Sequence, residues 1–494
     1  MICKRHTSHG AGGLHMRDYL NLYVNGKHLK VTREEAFLPL STYLRQIQGA
    51  TGTKVVCEEG DCGACSVIVG RMENGDISYK PINSCIQFMY QLDCAHVVTI
   101  EGLRVDEALN PIQEAMVQCH GAQCGYCTPG FVVTMCAMFE NCAPKNEQDV
   151  KDGLTGNLCR CTGYEPIIKA SLSVDPEKVL KLHELYPTAE MRKSFEQHCA
   201  VGVEISTPDH TLCIPHTLDE AVNFKAANPG TVVVAGGTDV CVYWNKRGIE
   251  PRALMSVSQL SALRELKVEN GTLIVGARAT LAELEDYAKD IFPELNRMLW
   301  LFGSPQIRNS GTLVGNIANA SPIADTLPFL FVAEAVIELF GKNGIRQVNI
   351  NKFYKGYKNL DMNSDEIITR VLIPIPAKEE TIRLYKVSKR KNLDISAFTA
   401  AFRLKLSEGT IKSIRIAYGG VAPVVCRLPK TEAHLTGKLF TEASMTEAGA
   451  IALSEITPIS DVRGSRDFRN TLAENILLKL WFDIQETQEL VCQQ

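Results

Sequence analysis

Two groups of cysteines in the first third of the chain have the spacing to hold iron. The first reads Cys57-x4-Cys62-x2-Cys65, and Cys85 follows after nineteen residues. That is the plant-type ferredoxin spacing for a [2Fe–2S] cluster. Four thiolates must converge on a rhomb of two irons and two sulfides, so the loop has to curl tightly. Gly60 and Gly63 permit the curl because glycine enters the positive-φ region without penalty. Structural zinc is the alternative, but zinc ribbons use paired C-x2–4-C knuckles, which this run fits poorly. The second group is Cys124-x2-Cys127 with Cys159-x-Cys161. Its spacing alone suits either tetrahedral zinc or a second iron–sulfur cluster. Gly125, Gly130, Gly156 and Gly163 place both pairs in turns, where backbone N–H groups can face a charged cluster. A second cluster beside the first would have a purpose: two clusters on one chain relay electrons one at a time.

The elements that must position these loops are bounded by composition. The chain has 494 residues, 45% apolar and 22% charged, enough for about three domains at roughly 150 residues each. A net charge of −4 argues against nucleic acid as partner. No stretch reaches the ~18 unbroken apolar residues of a membrane helix. The best approach to one, Leu327 to Phe340, carries Glu334 and Glu338 and reads as a buried helix. Residues 1–16 lack the apolar run of an export signal and read as a disordered leader or a start placed too early. The expected compartment is the cytoplasm, where cysteines bind metals more often than they form disulfides. The other ten cysteines are scattered and read as small buried hydrophobes.

Along the chain, Tyr19 to Val31 alternates around Asn25-Gly26, a hairpin signal. Pro39 to Gln46 reads as a short helix, and strands are expected over Ser66–Val69 and Val97–Ile100, with a turn at Asn74-Gly75-Asp76. From Asn110 to Leu172 the apolar residues Ile112, Ala115, Met116, Phe131, Met135 and Met138 recur at helical spacing. A polar, Lys/Glu-rich stretch from Asp175 to about Pro208 then reads as a linker with some helix between Glu177 and Glu184. Beyond it, strands at Thr231–Val234, Leu254–Val257 and Thr272–Val275 alternate with a helix at Glu283–Asp290. An antiparallel pair is expected around Glu408-Gly409, followed by helices over 431–456 and 467–484. The resulting division is a leader at 1–16, a β-rich unit at 17–104, a helical unit at 105–174, a linker at 175–207, and α+β units at 208–380 and 381–494.

Two further motifs are weaker. The strand Thr231–Val234 runs into Gly236-Gly237, which exposes N–H donors to an anion but taken alone is compatible with a tight turn. No G-x-G-x-x-G follows a strand, so a Rossmann site is not indicated. Lys386, Lys389, Arg390 and Lys391 form a basic group that reads as a solvated face or as an attractor of phosphates.

Together these motifs resemble the iron–sulfur and FAD domains of the xanthine dehydrogenase family of molybdenum hydroxylases. The resemblance rests on Cys57 to Cys65, Gly121 to Gly130, Gly156 to Tyr164, Val233 to Val240, Gly303 to Asn316, Ala320 to Asp325 and Lys389 to Ser396, in the family's order. It implies a β-grasp plant-type ferredoxin domain, a helical-bundle [2Fe–2S] domain, an α+β FAD-binding domain like that of vanillyl-alcohol oxidase, and a C-terminal α+β flavoprotein domain. By resemblance the ligands are Cys57, Cys62, Cys65 and Cys85 for one [2Fe–2S] cluster and Cys124, Cys127, Cys159 and Cys161 for the other. FAD would be held by Val233, Val234, Ala235, Gly236, Gly237, Thr238, Asp239 and Val240, by Thr312, Leu313, Val314, Gly315 and Asn316, and by Asp325. Phe302, Ile368 and Lys386 would lie beside the flavin. No catalytic side chain for hydroxylation is expected here. The resemblance further implies a large partner subunit binding molybdopterin, with Gln123 and Cys161 facing it, in a heterotetramer of two small and two large subunits. Electrons would pass from that centre through both clusters to FAD and on to NAD+. The alternative is an aldehyde- or N-heterocycle-oxidising relative using oxygen or another acceptor. Some family members carry an Asp linked with NAD use where this chain has Leu393.

Replacing Cys62 by Ser is expected to remove the plant-type cluster's low-temperature EPR signal while leaving flavin bound. An unchanged spectrum would refute that ligand.

Overall fold

The computed structural model describes residues 16–105 and 108–492; the leader 1–15 lies outside the described residues. The first unit is a five-stranded sheet built from β1 (Leu20–Val24), β2 (Lys27–Val31), β3 (Ser66–Glu73), β4 (Asp76–Asn83) and β5 (Ala95–Val98), in the order β2-β1-β5-β3-β4. β1 and β5 are parallel and the other pairs antiparallel. Asn25 and Gly26 both take positive φ, +48° and +77°, as a two-residue hairpin matched to strand twist requires. Leu20, Leu22, Val67, Val69, Ala95 and Val97 fill one face of this sheet. The first cysteine loop lies between Ile47 and β3.

Helices Pro111–Gln118, Thr128–Asn141, Glu147–Gly153 and Glu165–Ser173 form the second unit. Asn110 caps the first of them through Ile112 and Gln113 N–H groups at 2.9 Å each. The unit packs on the opposite face of the ferredoxin-like sheet, where Ile68 and Val98 join Phe131, Met135 and Phe139 in one core.

The stretch 175–207 is no loose tether. It carries helix Thr188–Cys199, whose Phe195 is fully buried and meets Tyr23 edge-on at 5.7 Å. Few apolar residues (Leu182, Met191, Phe195) make up its buried face, so composition concealed the docking. Arg17 completes it, with its guanidinium 2.7 Å from Asp93 and donating to the His198 and Val201 carbonyls.

The third unit holds a four-stranded sheet ordered Val203–Ser206, Thr211–Ile214, Ala253–Ser256, Val232–Val234, and a five-stranded sheet ordered Leu266–Glu269, Thr272–Gly276, Ile367–Pro374, Val336–Gly341, Gly344–Asn349. Here one expectation fails. The buried helix expected over 327–340 stops at Ala333, and Val336–Gly341 is a strand. Glu334 adopts a left-handed conformation, φ +57°, which ends the helix, and the β-branched Val336-Ile337 pair fits a buried strand. The last unit pairs Phe398–Ser407 with Thr410–Gly419 around Glu408-Gly409 and covers them with helices Glu442–Ala452 and Arg466–Cys492.

The units meet with little room. A Cβ on Gly63, whose φ is +68°, would lie 2.1 Å from the Gly156 carbonyl oxygen. Gly63→Ala is therefore expected to cost about 2–4 kcal/mol, combining backbone strain with overpacking. Denaturant melts with parallel iron analysis check this, and a loss below ~0.5 kcal/mol would mean the two loops are not in contact.

Candidate functional site

The cysteine loops bring their sulfurs together. In the first set Cys57 contacts Cys62 and Cys85, and Cys65 contacts Cys85. In the second, the Cys124 and Cys161 sulfurs are 3.6 Å apart and Cys127 contacts Cys159. The first set is linked as a chain, 62 to 57 to 85 to 65, and the second as two pairs, 124 with 161 and 127 with 159. A two-iron rhomb asks for two thiolates per iron, so sulfurs gathered in this way suit it.

The thiols share their protons unequally. Cys62 and then Cys85, bonding to Cys57, hold it far below its ordinary value, and the same contacts raise Cys62 and Cys85. Burial pushes Cys127 up to about 12. Burial also opposes ionisation of Cys159, but hydrogen bonds from Thr162 prevail and leave it below its ordinary value. Cys65 is likewise lowered, by its bond to Cys85, and metal binding displaces the protons that remain on the other thiols.

The two sets touch through backbone. Leu158 N–H donates to the Cys62 carbonyl at 2.9 Å, and Asn157 Nδ2 donates to the Gly63 carbonyl at 3.1 Å. Gln306, 1% exposed, donates from Nε2 to Asn157 Oδ1 at 2.9 Å and lies 3.3 Å from both Ser66 Oγ and Thr134 Oγ1. One amide therefore joins three units. Exposure is graded across the sets: Cys65 and Cys85 are 2% exposed and Cys159 is buried, Cys57, Cys62 and Cys127 are partly exposed, and Cys124 and Cys161 lie at the surface with Gln123.

A cavity of about 470 Å³ opens beside the glycine loop. Val233 to Val240, Phe302, Thr312, Val314, Gly315, Asn316 and Ile368 all line it. Among the described residues the N–H groups of Gly236, Gly237, Thr238 and Asp239 donate to no protein acceptor. Four free donors at the mouth of helix Val240–Arg247 are what a diphosphate needs, so the residues present fit FAD. Burial raises the Asp239 carboxyl above its ordinary value, which eases its place beside an anion. The same helix reaches the first cysteine loop: Asn245 Nδ2 donates to the carbonyls of Glu58 at 3.0 Å and Cys85 at 2.8 Å.

Three expected residues do not line this cavity. Leu313 is 1% exposed and packs in the core. Asp325 and Lys386 form a buried ion pair, and Ser396 donates to the other Asp325 oxygen at 2.6 Å. The basic group is accordingly not one solvated face: Lys386 is spent on Asp325, Arg390 pairs with Asp394 at 2.6 Å, and Lys391 sits over the Trp300 ring at 5.1 Å. Lining residues that sequence reasoning missed include Lys225, Tyr243, Asn319, Met362 and Glu366. They come singly from separate elements, and no spacing marks them.

A Cβ on Gly236 would lie 1.8 Å from the Ser310 carbonyl oxygen and 3.0 Å from Gly311 Cα. Gly236→Val must displace backbone on one side of the cavity. Flavin affinity is expected to fall at least about tenfold, or ~1.4 kcal/mol, with iron retained. Stoichiometric flavin in the purified variant would place the cradle elsewhere.

Comparison with known proteins agrees with this geometry. Residues 99–172 match a [2Fe-2S] binding domain, 206–376 the FAD binding domain in molybdopterin dehydrogenase, and 383–484 the CO dehydrogenase flavoprotein C-terminal domain. The chain is 28% identical to xanthine dehydrogenase of Oryza sativa subsp. japonica, over 94% of this chain and 39% of that one. Xanthine dehydrogenase 1 of Arabidopsis thaliana is 29% identical over 93% and 39%, and aldehyde oxidase 1 of Bos taurus 28% over 94% and 39%. The chain thus spans about two fifths of the length of these relatives. Among solved structures, quinoline 2-oxidoreductase from Pseudomonas putida 86 aligns with a TM-score of 0.52 at 28% identity, covering 56% of this chain and 98% of the other. Carbon monoxide dehydrogenase from Hydrogenophaga pseudoflava aligns with a TM-score of 0.53 at 27% identity, covering 56% and 96%. With matched [2Fe–2S], FAD-binding and flavoprotein domains in one chain, the protein is similar to the iron–sulfur and FAD portion of the molybdenum hydroxylases.

Proposed function

We propose that this chain is the electron-transfer part of a xanthine dehydrogenase-like oxidoreductase, taking electrons from a molybdopterin centre on a partner subunit and delivering them to NAD+. The observation that carries the reading is the graded burial along one contiguous path. Exposed Cys124 and Cys161 lie at the surface, buried Cys65 and Cys85 behind them, and the glycine-loop cavity one helix further on. The clusters supply single-electron transfer, and flavin supplies the change between one-electron and two-electron chemistry.

This chain's residues hold that path together. Cys57, Cys62, Cys65 and Cys85 are the proposed ligands of the inner cluster, and Cys124, Cys127, Cys159 and Cys161 of the outer one. Val233 to Val240 and Thr312 to Asn316 form the proposed diphosphate cradle, with Phe302 and Ile368 against the flavin ring. Asp325 and Lys386 act on the flavin through the loop they pin. The partner's docking face is proposed around Cys124 and Cys161, where Tyr126 and Val56 are 46% and 61% exposed. Exposed apolar groups around a ligand loop suit a protein interface better than solvent. The first sheet is read as a β-grasp and the third unit as a vanillyl-alcohol-oxidase-like fold, with domain limits at 17–104, 105–174, 208–380 and 381–494. Assembly as two small and two large subunits in the cytoplasm completes the proposal. Among the described residues no helix is long and apolar enough to cross a membrane.

The second reading keeps the same role with oxygen or another acceptor. It is favoured by the equal identity to an aldehyde oxidase and by Leu393, which stands in the left-handed region at φ +70°.

The test is an anaerobic NADH titration followed by absorbance, after iron, sulfide and flavin are quantified. Bleaching of flavin and cluster bands together supports the nicotinamide-linked reading. Bleaching by dithionite but not by NADH would overturn the NAD+ assignment in favour of the second.

A further inference from the structure

A second cavity, about 160 Å³, lies on the seam between the ferredoxin-like sheet and the FAD-binding unit. Arg71 comes from β3 and Arg278 from the loop after Thr272–Gly276, and both line it. The charges on its walls do not balance. Arg264 is taken by Glu73 at 2.7 Å and Glu283 at 3.5 Å, and Lys80 shares Glu73 at 3.7 Å. Asp93 is engaged by Arg17 at 2.7 Å. Arg71 donates only to the Gln91 carbonyl, at 2.7 Å. The Arg278 side chain has no hydrogen bond or ion pair among the described residues. Two half-buried guanidiniums therefore line one space, neither of them within ion-pair distance of a carboxylate among the described residues. The Cys199 thiol, held by Cys94, is the remaining candidate counter-ion and supplies at most one charge. Burial and then the neighbouring Arg264 and Arg71 hold Arg278 down at about 10, only partly opposed by Cys199 and Glu283.

We propose that this cavity binds a small oxyanion of the phosphate class between Arg71 and Arg278, clamping the ferredoxin-like sheet to the FAD-binding unit. The space suits such a ligand, since a liquid water occupies roughly 30 Å³ and a tetrahedral oxyanion needs only a few times that. Guanidinium forks match oxyanions in pairs. The cavity shares Ala235, Gly236 and Thr312 with the larger one, so a phosphoryl group could arrive free or as part of a dinucleotide.

Inorganic phosphate is titrated calorimetrically into the iron- and flavin-replete chain in a buffer without other oxyanions. Saturable one-to-one binding is expected, weakened about tenfold or more in Arg278→Gln with iron and flavin contents unchanged. Arg278→Lys, which keeps the charge, should retain part of the affinity. Absence of saturable binding, or equal affinity in Arg278→Gln, would overturn the proposal. So would binding seen only after flavin is stripped, because the anion would then occupy the diphosphate cradle. The titration reads neither NADH oxidation nor partner binding, so its failure is separable from that of the proposed function.

Discussion

The hydrogen bond from Leu158 N–H to the Cys62 carbonyl is the contact on which the arrangement depends. Around it, Gly63 and Gly130 let backbones approach where a Cβ would collide with the Gly156 and Gly63 carbonyls, and Gly156 leaves room for the Gln306 and Ser304 side chains. Two sulfur-rich loops from different units are thereby held within a few bonds of each other. Electron transfer between separate centres weakens steeply with distance, so under the proposed role this proximity is what the function would require, and the glycines supply it. Gln306 secures the junction from a third unit. Its amide is buried, so pulling the units apart would leave polar groups on Asn157, Ser66 and Thr134 to find new partners.

Helix Val240–Arg247 serves two centres at once. Its mouth presents free N–H groups to the large cavity, and five residues on, Asn245 holds the carbonyls that frame the first cysteine loop. A rigid helix between two sites fixes their separation, because a rise of ~1.5 Å per residue leaves little freedom. Cradle and cysteine loop are then not independent parts of the molecule: a change that unseats one end of the helix disturbs the other.

Legibility in the sequence followed the range of the interaction. The cysteine sets stood out because each is a local run whose residue types recur at fixed spacing, whereas the glycine loop alone was compatible with a tight turn and only the fold shows it beside a cavity. The hairpins at Asn25-Gly26 and Glu408-Gly409 were readable as local runs too. Helix 188–199 was hidden because its buried face is too sparse to show a period, and the strand at 336–341 because an apolar run does not reveal whether it coils or extends. Lys225, Tyr243 and Asn319 reach the cavity from three distant elements, and only the fold brings them there. The pairing of Asp325 with Lys386 was equally invisible, since 61 residues separate them.

That ion pair also shows why position in a motif and position in a site differ. Asp325 and Lys386 carry family-matched identities, yet their charges are spent on each other and on Ser396 in a nearly dry setting. Breaking such a pair leaves an uncompensated buried charge, a loss of roughly 3–5 kcal/mol, so both residues would be retained even if neither touched flavin. What they hold is the strand Glu380–Val387 against the turn that follows Ala320, and with it the loop that carries Asn392 to the groove beside Asn157 and Tyr164. The last unit thereby reaches the segment that carries Cys159 and Cys161, with Asn392 sharing one groove with Asn157, Leu158 and Tyr164.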